Sequence, residues 1–138
     1  FPGESEKQFK ELLDVMNEVK FERLGVFIYS REEGTPAGSF SGQISKVAKK
    51  ERFDRAMSLQ QDISSGINQR LLGRKMEVLV DEIDAGEPGL VIGRSYSDAP
   101  EVDGQIFVRT RRKDIKPGDF LQVKIDDARE YDLVGEEL

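Results

Sequence analysis

Apolar residues recur three and four positions apart at Phe9, Leu12, Leu13, Met16 and Val19, with Lys7, Lys10, Glu11, Asp14 and Glu18 between them. That spacing predicts a helix with one apolar stripe. Ser5-Glu6-Lys7-Gln8 fits a capping box at its start, the Ser5 hydroxyl serving an orphan amide and Gln8 reaching back. Leu24-Gly25-Val26-Phe27-Ile28-Tyr29 is apolar on both alternations, the pattern of a strand covered on both faces in a parallel sheet. A second, longer helix is expected from about Ser45 to Leu72. Its apolar stripe drifts through Ile44, Val47, Ala48, Phe53, Met57, Gln60, Ile67 and Leu71, and Lys49, Lys50, Arg52 and Arg55 are expected to face water. Gly73 suits the end of that helix and sets a domain boundary there, dividing the chain into residues 1–73 and 74–138.

The pattern changes after that point. Met76 to Val80 alternates, and further short runs follow at Gly89 to Arg94, Gln105 to Arg109, Phe120 to Ile125 and Tyr131 to Val134. Turn residues separate them, at Asp84-Ala85-Gly86-Glu87-Pro88-Gly89 and at Lys116-Pro117-Gly118-Asp119. Five short strands in about 65 residues predict a small closed or nearly closed barrel of the oligonucleotide-binding type. The fold class expected is therefore an α/β fragment followed by a small all-β five-stranded barrel.

One connection between the strands is long. Gly93 to Gly104 carries Tyr96, Asp98, Pro100, Glu101 and Asp103 after Arg94, and long ordered connections often hold function. It is read as a recognition surface. Its carboxylates complete no calcium-loop spacing, so no metal site is expected. Tyr29 to Pro36 follows the first strand at the end where parallel sheets bind ligands, although Gly34 and Pro36 equally suit a plain turn.

Composition narrows the chemistry. The 138 residues include no cysteine and no histidine, which removes disulfides, thiolate metal sites, and Cys or His catalysis from this chain. No apolar run approaches the roughly 20 residues of a membrane helix. The first residues lack both Met and the pattern of a signal peptide, and look like a cut end. The net charge of −6 lies entirely in the second half: residues 1–73 carry 11 basic and 11 acidic side chains, residues 74–138 carry 10 and 16. An acidic barrel favours basic partners over phosphate backbones. Arg109, Arg111, Arg112, Lys113 and Lys116 form a basic cluster with two readings. It grips phosphates with Phe107 or Tyr96 stacking on a base, or it protects an edge strand from aggregation.

Three segments resemble those of the radical S-adenosylmethionine (SAM) methylthiotransferases. Phe1-Pro2-Gly3-Glu4 resembles the end of the Gly-Phe-Pro-Gly-Glu motif that closes the fifth barrel strand. Leu24 through Ala37 resembles the sixth strand and its loop, and the second half resembles a TRAM domain, the small β-barrel that ends these enzymes. Tyr96-Ser97-Asp98-Ala99-Pro100-Glu101-Val102-Asp103-Gly104 is similar to the RimO branch, which modifies an aspartate of ribosomal protein S-twelve. The acidic balance of the barrel agrees with a basic protein substrate.

The resemblance implies a cytoplasmic enzyme using SAM and two 4Fe-4S clusters: reductive SAM cleavage, hydrogen abstraction from the target β-carbon, and sulfur insertion. It implies SAM-side positions at Gly3, Glu4, Phe27, Tyr29 and Ser30, and substrate-protein contacts at Arg94, Tyr96, Asp98, Pro100, Glu101 and Asp103. The family's cluster-binding cysteines are absent from this sequence. No catalytic residue is therefore expected in the chain, which is expected to be inactive alone, and residues 1–72 to pack poorly without the rest of their barrel. The alternative is the branch that modifies tRNA adenosine, with the arginine cluster on RNA.

Overall fold

The structure, a computed structural model, describes residues 1–138. They form two compact units, Phe1–Ile63 and Ser64–Leu138.

In the first unit, helix α1 spans Glu6–Val19 and begins with the expected capping box. The Ser5 hydroxyl accepts from the Gln8 amide, and the Gln8 side chain accepts from the Ser5 amide at 2.9 Å. Lys20 closes the helix in the left-handed conformation, φ 54°, with its amide on the Met16 carbonyl at 2.9 Å. Of the predicted stripe only Phe9 and Met16 are buried, while Leu12 and Val19 stay exposed. A four-residue helix α2, Pro36–Ser39, is capped by Thr35. Helix α3 runs Lys46–Gln69, close to the expected range.

The predicted strand at Leu24–Tyr29 is not formed. The segment forms neither helix nor strand and has no ladder partner, and Phe27 is 92% exposed. The sequence pattern describes a strand between two neighbours and under two layers, and no other segment of this unit forms a strand. An extended segment needs a partner before its amides and side chains have anywhere to go. The unit's core is correspondingly small: Phe9, Met16 and Ala56 are buried, with Leu13, Leu24, Val26, Leu59 and Ile63 partly covered against them.

The wet face assigned to α3 also needs correction. Lys50 and Arg55 are open to solvent, but the Arg52 side chain is only 16% exposed. Conversely Val47, placed on the apolar stripe, is 79% exposed. The buried line of α3 is Ala56, Gln60, Ser64 and Asn68, four residues apart and mostly polar. Main-chain acceptors meet Gln60 and Asn68 in this line. Gln60 donates to the Phe21 carbonyl at 2.8 Å in the first unit. In the second, Asn68 donates to the Arg129 and Glu130 carbonyls at 3.1 and 3.2 Å, and the exposed Gln69 beside it donates to that of Ala128 at 3.0 Å.

The second unit is a closed barrel. Its strands are β1 Lys75–Ile83, β2 Leu90–Arg94, β3 Ile106–Arg109, β4 Phe120–Ala128 and β5 Leu133–Glu137, ordered β1-β2-β3-β5-β4 around the barrel. All pairs are antiparallel except β3 with β5. The last strand begins two residues later than predicted and ends three later. Alternation sends Val78, Val80, Val91, Ile106, Val108, Leu121, Val123, Ile125 and Leu133 inward, and Ile115 and Ala128 complete the core. Register shifts at Val80/Glu82 and Ile125/Asp127 bend the two nine-residue strands as closure requires. At Gly93 a Cβ would stand 2.3 Å from the Leu79 carbonyl, so the strands meet there only without a side chain.

Both predicted turns are present. Asp84 Oδ1 accepts from the Gly86 and Glu87 amides at 2.7 and 3.0 Å, and Asp119 Oδ2 accepts from the Lys116 amide at 3.1 Å.

Candidate functional site

Two surfaces collect the sequence-predicted site residues, one in each unit. In the first, a groove of about 310 Å³ is walled by Phe1, Val26, Phe27, Tyr29 and Phe53, with Glu4, Lys49 and Arg52 among its polar members. Phe1 meets the Tyr29 ring edge-on at a centroid distance of 5.3 Å. The Tyr29 hydroxyl is buried and has no hydrogen-bond partner. A buried hydroxyl in that state carries a desolvation cost of about 1–3 kcal/mol that a polar ligand atom can relieve. The structure thus brings Glu4, Phe27 and Tyr29 to one groove. Gly3 lies beside it in the Phe1–Glu4 turn, its amide on the Gly42 carbonyl at 2.8 Å, and exposed Ser30 does not line the groove. Aromatic walls with an unpaired hydroxyl are features of a small-molecule pocket.

The sequence reading placed Lys49 and Arg52 on the solvated face of the helix and not at a site. The only signal for them was their spacing of three on one helix, which mixed charge around them made ordinary.

The second surface is the β2–β3 connection. Arg94 ends β2 and is ion-paired with Asp81 of β1. Ser95 is buried, and both its amide and its hydroxyl donate to Asp98 Oδ2, at 3.1 and 2.6 Å. Asp103 Oδ2 accepts from the Ala99 amide at 2.7 Å. Between these two knots Glu101 adopts a left-handed backbone, φ 62°. At Gly104 a Cβ would stand 1.8 Å from the Tyr131 carbonyl, so only glycine lets the chain pass there back into β3.

Asp98 and Asp103 therefore shape the connection from within. Its outward face is made by Tyr96, 98% exposed, Val102, 81% exposed, and the exposed Pro100 and Glu101. Val102 was passed over in the sequence, where a lone valine among carboxylates carried no pattern. Under the connection lies a polar cleft of about 220 Å³ lined by Asp81, Arg94, Glu101, Asp103, Gln105 and Asp132.

The arginine cluster stands apart from both. Arg109 pairs with Asp126, Arg111 lies 3.9 Å from Glu136, and Arg112 reaches Asp114 at 3.4 Å and Glu137 at 3.5 Å. The hydrogen bond from Arg112, then a backbone hydrogen bond and the arginine's charge, hold the Asp114 carboxyl below its usual range, and the same contact raises Arg112. Each arginine of the cluster faces a carboxylate, which weakens its claim on phosphate.

Comparison with known proteins bears on both surfaces. Residues 72–137 match the TRAM domain. Along 99% of its length the chain is 52% identical to the ribosomal protein uS12 methylthiotransferase RimO of Desulforamulus reducens. The chain matches the C-terminal region of the RimO methylthiotransferases. It is 50% identical over 98% of its length to the RimO of Heliobacterium modesticaldum, and 48% identical over 96% to that of Psychrobacter arcticus. It spans 30%, 28% and 25% of the length of these three relatives respectively, so the likeness is to part of each enzyme. No helix of the chain is long and apolar enough to cross a membrane.

Proposed function

We propose that the chain is the C-terminal part of a cytoplasmic methylthiotransferase that adds a methylthio group to an aspartate of ribosomal protein uS12. In this reading residues 1–73 complete the wall of a radical-SAM barrel and residues 74–138 dock the substrate protein. The identity of 52% with a RimO along nearly the whole chain carries the assignment.

The two units take different parts. The Leu24–Tyr29 segment, without a ladder partner here, has the apolar sequence of a strand that pairs with others of a larger sheet, and its exposed Phe27 and Ile28 supply the apolar faces. Glu4, Phe27 and Tyr29 face the SAM side, the Tyr29 hydroxyl offering a hydrogen bond, with Gly3 and Ser30 flanking them. When bound in the intact enzyme, SAM and two iron-sulfur clusters supply radical and sulfur-transfer chemistry. The chain has no cysteine to hold either cluster, so those ligands belong elsewhere in the enzyme.

The substrate protein is met by the β2–β3 connection. Tyr96, Pro100, Glu101 and Val102 make contact, and Arg94, Asp98 and Asp103 set the shape behind them. A ribosomal protein is basic, and the barrel half carries six more acidic than basic side chains, 16 against 10.

The test is a titration of residues 64–138 with purified uS12. Tyr96→Ala with Glu101→Gln is expected to weaken binding about tenfold or more, since a solvent-facing aromatic and a charge are removed together. Equal affinity of the variant and the parent refutes docking by this loop. Tight tRNA binding that ignores uS12, lost in Arg111→Ala with Arg112→Ala, replaces it with the tRNA reading.

A further inference from the structure

Helix α3 contributes two cations to the groove of the first unit, and both are bound to main-chain carbonyls. Lys49 Nζ donates to the Tyr29 carbonyl at 2.9 Å and lies 5.0 Å from the centre of the Tyr29 ring. Three residues on, Arg52 Nη1 donates to the Glu4 carbonyl at 3.0 Å and to Glu4 Oε1 at 2.9 Å. Its Nη2 reaches Glu6 Oε2 at 3.5 Å, and its guanidinium lies 5.5 Å from the centre of the Phe9 ring.

These contacts differ in kind from the exposed ion pairs on the same helices. Lys50 with Asp54 and Lys7 with Glu11 join side chains one turn apart in solvent, where such pairs contribute little. Arg52 is mostly buried, charge-assisted on two acceptors of one residue, and stacked on an aromatic ring. The residues it and Lys49 hold, Glu4 and Tyr29, lie in segments that have no strand ladder to align them. Glu4 and Tyr29 are 25 positions apart in the chain, yet both are fastened to one face of one helix at the groove.

We propose that Arg52 and Lys49 are positioning residues that fix Glu4 and Tyr29 relative to each other, and so set the shape in which the groove receives an adenosine-type ligand. This rests on the reading above that the groove is the SAM side of the enzyme. The cations act through Glu4 and through the Tyr29 carbonyl, which leaves the Tyr29 hydroxyl available to the ligand.

The experiment uses the intact methylthiotransferase that carries this chain, with Arg52→Ala, Arg52→Lys, Lys49→Met and, as a control, Lys50→Ala. The Gly3 amide, bonded to the Gly42 carbonyl, reports whether the turn stays in place. Its hydrogen exchange is expected to be about tenfold faster in Arg52→Ala, as a local opening becomes easier. The KM for SAM should rise about tenfold in that variant with a smaller change in kcat, as loss of ligand positioning without loss of chemistry requires.

Arg52→Lys should restore most of both effects, because one ammonium can donate to both Glu4 acceptors. Lys49→Met is expected to raise the KM for SAM in the same direction, and Lys50→Ala to change nothing. Unchanged Gly3 exchange in Arg52→Ala overturns the proposal. So does Arg52→Lys as impaired as Arg52→Ala, which leaves only packing over Phe9, and so does faster exchange with an unchanged KM. Failure of the unsubstituted enzyme to bind SAM would instead refute the preceding reading, and the exchange measurement still decides the clamp.

Discussion

The two units contain similar numbers of residues and hold themselves together in different ways. The barrel closes on itself, so every strand has two neighbours and eleven apolar side chains are buried inside. The first unit buries three, has no strand, and leaves Leu12, Val15, Val19, Phe27 and Val47 exposed. Closure is what separates them. A barrel satisfies its main chain internally, whereas Leu24–Tyr29 has no strand in its own unit to pair with.

Autonomy should show the contrast most strongly. Residues 64–138 alone are expected to unfold in one cooperative transition in urea, and residues 1–63 alone to show no protected amides at Leu24–Tyr29. Protected amides there, with a cooperative transition of the isolated first unit, would erase the distinction.

Core truncation comes next. Leu121→Ala, at a fully buried barrel position, is expected to cost about 3 kcal/mol, against less than about 0.5 kcal/mol for Leu12→Ala in the 138-residue chain. Urea midpoints of the two variants give the comparison directly. If both cost the same, the small core of α1 is better packed than its exposure indicates.

A smaller effect is expected inside the β2–β3 connection. Asp103→Ala removes the acceptor of the Ala99 amide and should cost about 1 kcal/mol, while Tyr96→Ala changes stability by less than half of that. Differential scanning calorimetry of residues 64–138 separates the shaping residue from the presenting one. Equal losses would mean that Tyr96 also supports the connection.

The smallest effect concerns acid. The Glu6 carboxyl is held below its usual value of 4.5, first by the hydrogen bond from Arg55 and then by the charges of Arg55 and Arg52. A carboxyl depressed in the folded state contributes stability that is complete above its unfolded pKa and is lost as pH falls through the folded one. The window therefore lies at and below about 4.5. Glu6→Gln should flatten the fall in helix signal there and leave neutral pH nearly unchanged, because the pair is exposed.

Much of the fold was legible because it rests on local rules. The capping box at Ser5 and Gln8, the two long helices, both turns and all five barrel strands follow from side-chain spacing and turn chemistry over a few residues. What failed did so where a distant partner decides. Leu24–Tyr29 has the composition of a buried strand and lacks the neighbours that would make it one. Arg52 has the spacing of a solvated residue and is drawn inward by Glu4, 48 positions away. Asn68, polar and unremarkable in sequence, is buried because carbonyls at Arg129 and Glu130 are presented to it.

The site divides along the same line. Tyr96, Pro100 and Glu101 were found from the sequence as a polar, turn-rich connection, and the structure leaves them outward. Asp98 and Asp103 were found with them, but their carboxylates are turned into the connection by Ser95 and Ala99. Type and count of carboxylates are sequence properties. Their direction is a property of the loop.

By itself the sequence determined which stretches become helix, turn or barrel strand, where the negative charge lies, and that no thiolate chemistry resides in these residues. Only the tertiary structure decided which side chains face inward, that Lys49 and Arg52 gather Glu4 and Tyr29 at one groove, and that Arg109, Arg111 and Arg112 each meet an acid. The reason is range. Helical period and turn preference act over a few neighbouring residues, whereas burial and ion pairing depend on what folding brings close from far along the chain.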